Sequence, residues 1–292
     1  MRRHNKAFTL IEVLVVITII GLLASIVLIT TKGARERAKI AKSLNFAAQV
    51  HHALGAYSAG IWDFDENADN TCQGAISPFD DICDSSGNNN HGQRFNATWT
   101  TEGDTPSGKG YALSLDGSVS DYVVKNLFNN FPTTEITIAF WMKSSDNSKN
   151  GTPISYAASG GSDNEFLIYN YKSFSIFIGA ASLGTGISAN DGSWHHIVTI
   201  WRSSNGDLRL YKDGKEEYSN TLQTGYSIVG NGSFIVGQEQ DSVGGGFSSS
   251  QAFLGLIDDV RIYEESLSSA QIRKLYVEGA REKDLAVEDD FN

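Results

Sequence analysis

The chain has 292 residues, a formal net charge of −11 at pH 7, and many glycines beside few prolines, 29 Gly against 4 Pro. This length is sufficient for one large domain beyond an anchoring segment. The charge is uneven, because Lys and Arg are in excess over residues 1–42 and nearly all Asp and Glu lie beyond them. An acidic main part argues against nucleic acid as a partner.

A long apolar run lies near the start of the chain. Residues 8–29 are apolar, Gly, Ser or Thr except for one carboxylate, Glu12. As a helix, at about 1.5 Å per residue, they would span roughly 33 Å, close to the thickness of a bilayer core. A secretory signal peptide has a shorter run followed by a small-residue cleavage site, and no Ala-x-Ala follows here. We therefore expect a transmembrane helix over about residues 8–29, with the basic head on the cytoplasmic side.

The carboxylate inside this run is costly in a bilayer and is therefore a functional candidate. A short basic leader, the small residue Ala7, and then Phe-Thr-Leu-Ile-Glu resemble the type IV prepilin family. The resemblance implies a leader over residues 1–7, cleavage between Ala7 and Phe8 by a prepilin peptidase, and N-methylation of Phe8. It implies that Glu12 pairs with the N-terminal amine of a neighbouring pilin subunit during assembly. A plain signal anchor is the alternative.

The helical pattern continues past the apolar run. Ile40, Leu44, Ala47, His51 and Leu54 recur at steps of three or four residues, which is helical spacing, and Gly55 follows. We expect one pilin-like helix over residues 8–55. The resemblance implies a single-pass protein of the cytoplasmic membrane with its C-terminal domain outside, and later an extracellular filament.

The remainder reads as mainly β. Short alternating runs between Gly, Asn, Asp and Ser predict many antiparallel strands, and Asp213-Gly214 predicts a hairpin turn. One short late helix is predicted after Ser268, where Ser268 and Gln271 form a capping-box pattern. Together they predict a two-sheet sandwich or jelly roll over residues 60–277. The charged segment 278–292 is expected to be a flexible acidic tail.

The two cysteines lie close together in a polar segment. Outside the cytoplasm Cys72 and Cys83 are expected to form a local disulfide. A Cys-His metal site that includes His91 is the weaker alternative.

Five segments resemble the concanavalin A-like, laminin-G type jelly roll. They are Ile61-Trp-Asp-Phe-Asp-Glu66, Asp84-Ser-Ser-Gly-Asn-Asn-Asn-His-Gly92, Ala112-Leu-Ser-Leu-Asp-Gly117, Gly192-Ser-Trp-His-His196 and Gly255-Leu-Ile-Asp-Asp-Val-Arg-Ile-Tyr263. Each motif is weak alone, and their shared order supports the jelly-roll prediction.

The loop from Val236 to Phe247 is the sharpest functional candidate. Glu239 and Asp241 offer carboxylates and Gln240 offers a carbonyl oxygen, within a glycine-rich segment that can fold around an ion. Calcium takes six to eight such oxygens at about 2.3–2.6 Å. The loop therefore predicts a calcium site.

The stretch Gly-Gln-Glu-Gln-Asp-Ser at 237–242, with Ser155-Tyr-Ala157 before Asp163-Asn164-Glu165, resembles the calcium-dependent pentraxin lectins. The resemblance implies one Ca²⁺ held by Asp163, Asn164, Glu239, the Gln240 carbonyl and Asp241. It implies a second ion on Glu239, Asp241 and Gln251, which is weaker because Ser248 replaces a frequent acidic ligand. Tyr169 and Phe177 would line the ligand pocket, with strand packing as the alternative. The family's disulfide positions fall on Ala139 and Val198.

Catalysis is not expected. The segment Glu239-x-Asp241-x-Val243 lacks the third carboxylate of jelly-roll glycosidases. Ser193, His195 or His196 and Asp191 are close in sequence, but triads assemble across a fold.

The sequence therefore predicts a minor pilin-like subunit that displays a Ca²⁺-dependent jelly roll for surface adhesion, with an acidic or phosphorylated glycan as its ligand. The alternative is a structural pseudopilin of a type II secretion or DNA-uptake machine, in which calcium staples a spacer domain.

Overall fold

A computed structural model describes residues 10–11, 13–19, 55–68, 72–75, 77 and 79–280. The chain divides into two units, Met1–His52 and Ala53–Asn292. In the first unit, residues 10–11 and 13–19 are helical. Within the described residues, no helix has the length and apolar character needed to cross a membrane. Ala7, Phe8 and Glu12 lie outside the described residues, as do the rest of the predicted helix before residue 55 and the tail from residue 281.

The second unit contains fifteen described strands and one helix. The strands are β1 (Ser58–Trp62), β2 (Gln93–Phe95), β3 (Thr98–Trp99), β4 (Leu113–Asp116), β5 (Tyr122–Phe128), β6 (Glu135–Lys143), β7 (Ile154–Ala157), β8 (Phe166–Tyr169), β9 (Ser175–Ile178), β10 (Ala181–Gly184), β11 (Trp194–Arg202), β12 (Asp207–Lys212), β13 (Lys215–Thr221), β14 (Gly232–Val236) and β15 (Leu254–Tyr263). The helix, α1, is Ser269–Ala280 and includes three residues that the sequence placed in the tail.

The strands form two antiparallel sheets. One has eight strands in the order β13-β12-β11-β6-β15-β4-β3, with β1 paired to β15. The other has seven strands in the order β10-β9-β8-β7-β14-β5-β2. The predicted mainly β, two-sheet architecture with one late helix is confirmed.

The core lies between the two sheets. On β6, Ile136, Ile138 and Phe140 belong to the core cluster, as the alternation of a strand requires. Trp141 points to the outer face and is still only 1% exposed, because Tyr276 of α1 stacks on it with ring centroids 5.6 Å apart. Burying a large apolar side chain of this kind contributes about 1.5–3 kcal/mol. The late helix therefore covers the outer face of the eight-stranded sheet.

The predicted local signals form as expected. Asp213 and Gly214 join β12 to β13 in a two-residue turn with φ of +53° and +77°, the conformation that favours Asp-Gly in a type I′ hairpin. At the start of α1, the Ser268 N–H donates to Gln271 Oε1 over 2.8 Å and the Gln271 N–H lies 3.4 Å from Ser268 Oγ. These two capping contacts satisfy backbone N–H groups that the start of a helix leaves unpaired.

The segment from Asp84 to His91 fastens the first strand to the domain. The Asp84 carboxylate accepts hydrogen bonds from the backbone N–H groups of Ile61, Ser86 and Asn90, each over 2.9 Å. His91 Nδ1 accepts the Asp84 N–H at 3.0 Å. The predicted disulfide joins Cys72 and Cys83, with Cα atoms 5.4 Å apart. Because both cysteines are joined in the disulfide, they do not form the alternative Cys-His metal site with His91.

Candidate metal centre

The acidic loop begins where β14 ends and is pinned by two buried glutamines. The Gln238 side chain donates to the carbonyls of Ser118 and Asp121, at 2.7 and 3.0 Å. The Gln240 side chain donates to Ser155 Oγ at 3.0 Å and to the Ser233 carbonyl at 3.1 Å. Both glutamines are 0% exposed. Their contacts therefore fix the course of the loop on either side of Glu239.

The loop folds back over the outer face of the seven-stranded sheet. Antiparallel pairing places the end of β14, Val236, beside the start of β7, Ile154. The turn that follows β7 is at the other end of the same strand pair. Because Gln240 reaches back to Ser155 and Ser233, and its Oε1 accepts the Gly244 N–H at 2.8 Å, the loop returns towards that turn.

The turn after β7 carries the second part of the predicted site. Asp163 is exposed and Asn164 is half-buried. The Asn164 Nδ2 donates to Asp163 Oδ1 at 3.0 Å, which leaves the amide oxygen of Asn164 available as a ligand. The charge of Asp163 helps to raise the pKa of Glu239, so the two predicted limbs of the site lie within range of each other's charge.

Glu239, Asp241 and Asp163 form an acidic group that we call the Glu239 cluster. Burial, and then the charges of Asp241 and Asp163, raise the pKa of Glu239 to about 7. Glu239 is 4% exposed, and its Oε2 has no hydrogen-bond partner among the described residues. Within that part of the chain no Lys, Arg or His forms an ion pair with the cluster. Among the described residues the cluster therefore has no cationic partner.

This donor set fits a calcium ion. Unpaired carboxylate oxygen, amide oxygen and backbone carbonyl are the hard ligands that calcium takes. The Gln240 side chain is fully used in the loop, so its carbonyl is the atom available, as the resemblance implied. In the described residues no group of three His, Cys, Asp or Glu side chains is arranged to hold a metal ion by itself. A calcium ion here would therefore also draw on the amide and carbonyl oxygens.

The structure ties Gln251 to the start of β7 through its backbone. The Gln251 carbonyl accepts the Thr152 N–H at 2.9 Å, and its own N–H donates to the Ser248 carbonyl at 3.0 Å. Ser248 Oγ lies 3.0 Å from Ser250 Oγ and supplies no carboxylate. The second predicted ion thus depends on Gln251 together with the acids of the Glu239 cluster.

Two aromatic rings project from the strands that follow the Asp163–Asn164 turn. β8 begins two residues after Asn164, and Tyr169 and Phe177 project from β8 and the neighbouring β9. Their centroids are 6.3 Å apart in an edge-to-face arrangement, and both side chains are half-buried. Since Ile168 and Ile176 belong to the core, these rings are on the outer face, where a ligand could reach them.

A second acidic group, which the sequence analysis treated only as fold motifs, surrounds Arg261. The pairing of Trp62 with Val260 brings the two motifs side by side. The group consists of Asp63, Asp65, Asp258, Asp259 and Arg261, all of which line a cavity of about 230 Å³. We call it the Arg261 cluster.

The Arg261 cluster contains its own cation. Arg261 Nε lies 2.5 Å from Asp259 Oδ1. Burial alone would lower the pKa of Arg261, but the charge of Asp259 raises it above its ordinary value. Burial raises the pKa of Asp258 well above its usual range, and the charges of Asp259 and Asp65 add to this. The cluster thus combines an internal ion pair with a carboxyl group whose pKa burial raises.

The contacts of His195 and Ser193 differ from those of a Ser-His-Asp triad. His195 Nδ1 lies 2.7 Å from Asp213 Oδ2, and its Nε2 lies 3.0 Å from both Asp191 oxygens. Both ring nitrogens therefore face carboxylates, and Ser193 bonds Asp191 through its backbone N–H. His196 is buried, which lowers its pKa to about 4.

The residues carried over from the family's disulfide positions lie opposite one another. Ala139 on β6 is paired with Val198 on β11, and both side chains are buried. Two small apolar side chains fill this place in the sheet.

Comparison with known proteins adds two family matches. A model of the Pentaxin family matches residues 115–286, and a model of the prokaryotic N-terminal methylation motif matches residues 2–28. Rat C-reactive protein is 35% identical over 162 residues, which cover 55% of this chain and 70% of the relative.

A rat protein described as containing sushi, von Willebrand factor type A, EGF and pentraxin domains is 40% identical over 173 residues. These cover 58% of this chain but 5% of the relative, so the similarity spans only a small part of that protein. The binding domain of Paraclostridial Mosquitocidal Protein 1 has a similar fold, with a TM-score of 0.57 at 16% identity, over 77% of this chain and 53% of the other.

Proposed function

This chain belongs to the Pentaxin family and carries a prokaryotic N-terminal methylation motif, and from that premise we propose that it is a type IV pilin-like subunit displaying a Ca²⁺-dependent binding domain. The observation that carries the calcium part is the buried carboxylate of Glu239, whose Oε2 has no hydrogen-bond partner among the described residues and whose pKa is raised by the charges of Asp241 and Asp163. Asp163, Asn164, Glu239, the Gln240 carbonyl and Asp241 would hold the first ion, and Gln251 would join the second.

Bound calcium would reverse the charge of this surface. Two ions carry four positive charges and Asp163, Glu239 and Asp241 carry three negative ones, which leaves about one positive charge at the site. An anionic oxygen from phosphate or carboxylate would then complete the coordination. Tyr169 and Phe177 offer apolar ring surface on the strands beside it. We propose an acidic or phosphorylated glycan as the ligand and surface adhesion as the role.

The N-terminal motif supplies the assembly part of the proposal. Cleavage after Ala7 by a prepilin peptidase, methylation of Phe8 and pairing of Glu12 with a neighbouring subunit would place the domain on an extracellular filament. Before assembly the subunit would be in the cytoplasmic membrane with its N-terminus inside. Mass spectrometry of the mature protein tests the processing step, and a chain that begins at Phe8 with an added methyl group is the expected result.

We further propose a binding role and no catalytic one. A histidine that acts as general base needs a free ring nitrogen facing the nucleophile. His195 has a carboxylate on each nitrogen, and no hydrogen bond joins it to Ser193 among the described residues. We therefore assign His195 a structural role, in which it links the hairpin at Asp213 to the loop at Asp191.

The test of ligand binding uses the full-length chain in detergent, with sugar phosphates, the matching unphosphorylated sugars and inorganic phosphate as probes. We expect binding of the phosphorylated probes with calcium and none with EDTA. Calcium binding without any probe binding would instead favour the structural pseudopilin. The variants Glu239→Gln and Asp241→Asn should abolish both calcium and probe binding, whereas the exposed control Glu102→Gln should retain both.

A further inference from the structure

Glu165 is a buried carboxylate next to the proposed calcium ligands, although the sequence analysis gave it no role. It is 0% exposed and follows Asn164 directly. Its carboxylate accepts three hydrogen bonds of 2.7 Å each, from the Ser162 N–H, the Tyr226 hydroxyl and the Val229 N–H. Charge-assisted bonds of this kind are stronger than neutral ones, so the three together can hold two loops as one unit.

Two glycines make room for this arrangement. A Cβ atom at Gly161 would lie 2.5 Å from Glu165 Oε1, and one at Gly179 would lie 2.8 Å from Cζ of Tyr226. Gly179 has φ of +56°, and its N–H donates to the Glu165 carbonyl at 3.1 Å. The backbone therefore approaches both side chains closely, at positions where a larger residue would collide with them.

The far side of this contact is anchored on the eight-stranded sheet. The Ile228 N–H donates to the Thr133 carbonyl at 2.9 Å, just before β6, and the Gly225 N–H donates to the Ser203 carbonyl at 2.7 Å, just after β11. The segment 225–229 is thus a fixed support. Through Tyr226 and Val229, Glu165 attaches the turn after β7 to it.

The turn itself has mainly local bonds. The Asn164 N–H donates to Ser162 Oγ at 3.0 Å, and Asn164 Nδ2 donates to Asp163 Oδ1 at 3.0 Å. These bonds set the shape of the turn but do not position it relative to Glu239. That position depends on the bonds that leave the turn, and the Glu165 carboxylate accepts two of them from the 225–229 support.

We infer that Glu165 is a positioning residue for calcium, which holds the Asp163–Asn164 turn at the distance from Glu239 that one ion can bridge. The inference rests on the proposed calcium function and deepens it. Calcium affinity depends on how many ligands are already in place, because ordering a loose limb costs binding free energy. Glu165 therefore sets affinity without itself contacting the ion.

The test measures calcium affinity by calorimetry on the full-length chain in detergent. In Glu165→Gln, an amide NH₂ must face one of the three donors, so at least one bond is lost and the turn loosens. We expect the affinity of the tighter site to fall tenfold or more. In Tyr226→Phe, which removes one hydroxyl alone, we expect a fall of about threefold. The exposed control Glu102→Gln should match the wild type.

The outcomes separate this inference from the proposed function. If the wild type binds no calcium, the proposed function fails. If the wild type binds calcium and Glu165→Gln binds within twofold of it, the inference is overturned even if that variant melts earlier in EDTA, because its role is then only structural. If Glu165→Gln does not fold, Tyr226→Phe decides: a threefold loss with an unchanged melting temperature in EDTA supports the inference, and unchanged affinity overturns it.

Discussion

The domain has two acidic clusters, and they differ in whether their negative charge has a cationic partner among the described residues. In the Arg261 cluster, four aspartates surround a guanidinium that forms an ion pair with Asp259. In the Glu239 cluster, the charges of Asp241 and Asp163 act on the buried Glu239, and none of the three carboxylates forms an ion pair in the described part of the chain. Like charges brought together cost free energy unless protons or cations compensate them. Among the described residues, the first cluster therefore contains an ion pair of its own and the second does not, which is why we propose that the second takes a cation from solution.

The comparison predicts the largest effect at Arg261. Arg261→Met should leave Asp259 without its ion-pair partner and cost about 2–3 kcal/mol of unfolding free energy, the range of a charge-assisted hydrogen bond between side chains that are 18% and 21% exposed. Urea denaturation without calcium measures this. Arg202→Met is the control, because Arg202 pairs with Glu135 at the surface over 3.4 Å and its loss should cost about 0–1 kcal/mol. Equal costs for the two variants would contradict a structural role for the Arg261 cluster.

In the Glu239 cluster, we expect the removal of a charge to increase the stability of the chain. Glu239→Gln keeps the shape and removes a buried carboxylate, so at pH 8 without calcium it should stabilise the chain by on the order of 2 kcal/mol. Calcium should stabilise the wild type and leave this variant unchanged. Thermal melts with EDTA and with calcium give both numbers. If the variant is less stable than the wild type in EDTA, the cluster does not lack a cation.

The difference in stability between the wild type and Glu239→Gln should also depend on pH. The pKa of Glu239 is about 7 in the folded chain against an ordinary value of 4.5. Its protonated form is therefore favoured by folding, so the stability that it contributes is full below pH 4.5 and is lost as pH rises through 7. Without calcium, the wild type should lose on the order of 1–2 kcal/mol relative to Glu239→Gln across this window. Asp63 and Asp258 have raised pKa values in both chains and cancel in the comparison.

The smallest expected effect is at His195, between Asp191 and Asp213. Burial alone would lower the pKa of this histidine, but the hydrogen bond and charge of Asp213, followed by Asp191, raise it. The stabilisation is therefore full below the unfolded value near 6.5 and is lost as pH rises through the folded value. Because Asp191 is exposed, Asp191→Asn should reduce stability at pH 6 by less than about 1 kcal/mol. Melting temperatures of the two chains at pH 6 and pH 9 check this, and an identical difference at both would contradict it.

The sequence predicted the local elements well, because their signals are local. The Asp213-Gly214 turn, the Ser268–Gln271 cap and the Cys72–Cys83 disulfide each depend on residues that are close in the chain.

Tertiary placement was beyond the sequence. That Gln240 turns the acidic loop back across β7, and that Glu165 fixes the opposite turn on a support from the other sheet, depend on contacts between distant segments. The Arg261 cluster was hidden in the same way, since Asp63 and Asp258 come from motifs about two hundred residues apart in the chain. The predicted ligands Asp163 and Glu239 were brought together by the resemblance to a family and not by any pattern of spacing.

The most direct test of the account is a calcium titration by calorimetry, at pH 7.5, on the full-length chain in detergent and on its Glu239→Gln variant. The account predicts one tight and one weaker binding event in the wild type, release of protons as Glu239 loses its own, and neither event in the variant. No heat in the wild type up to millimolar calcium, or the same binding in both chains, would contradict the claim that this cluster takes its cation from solution.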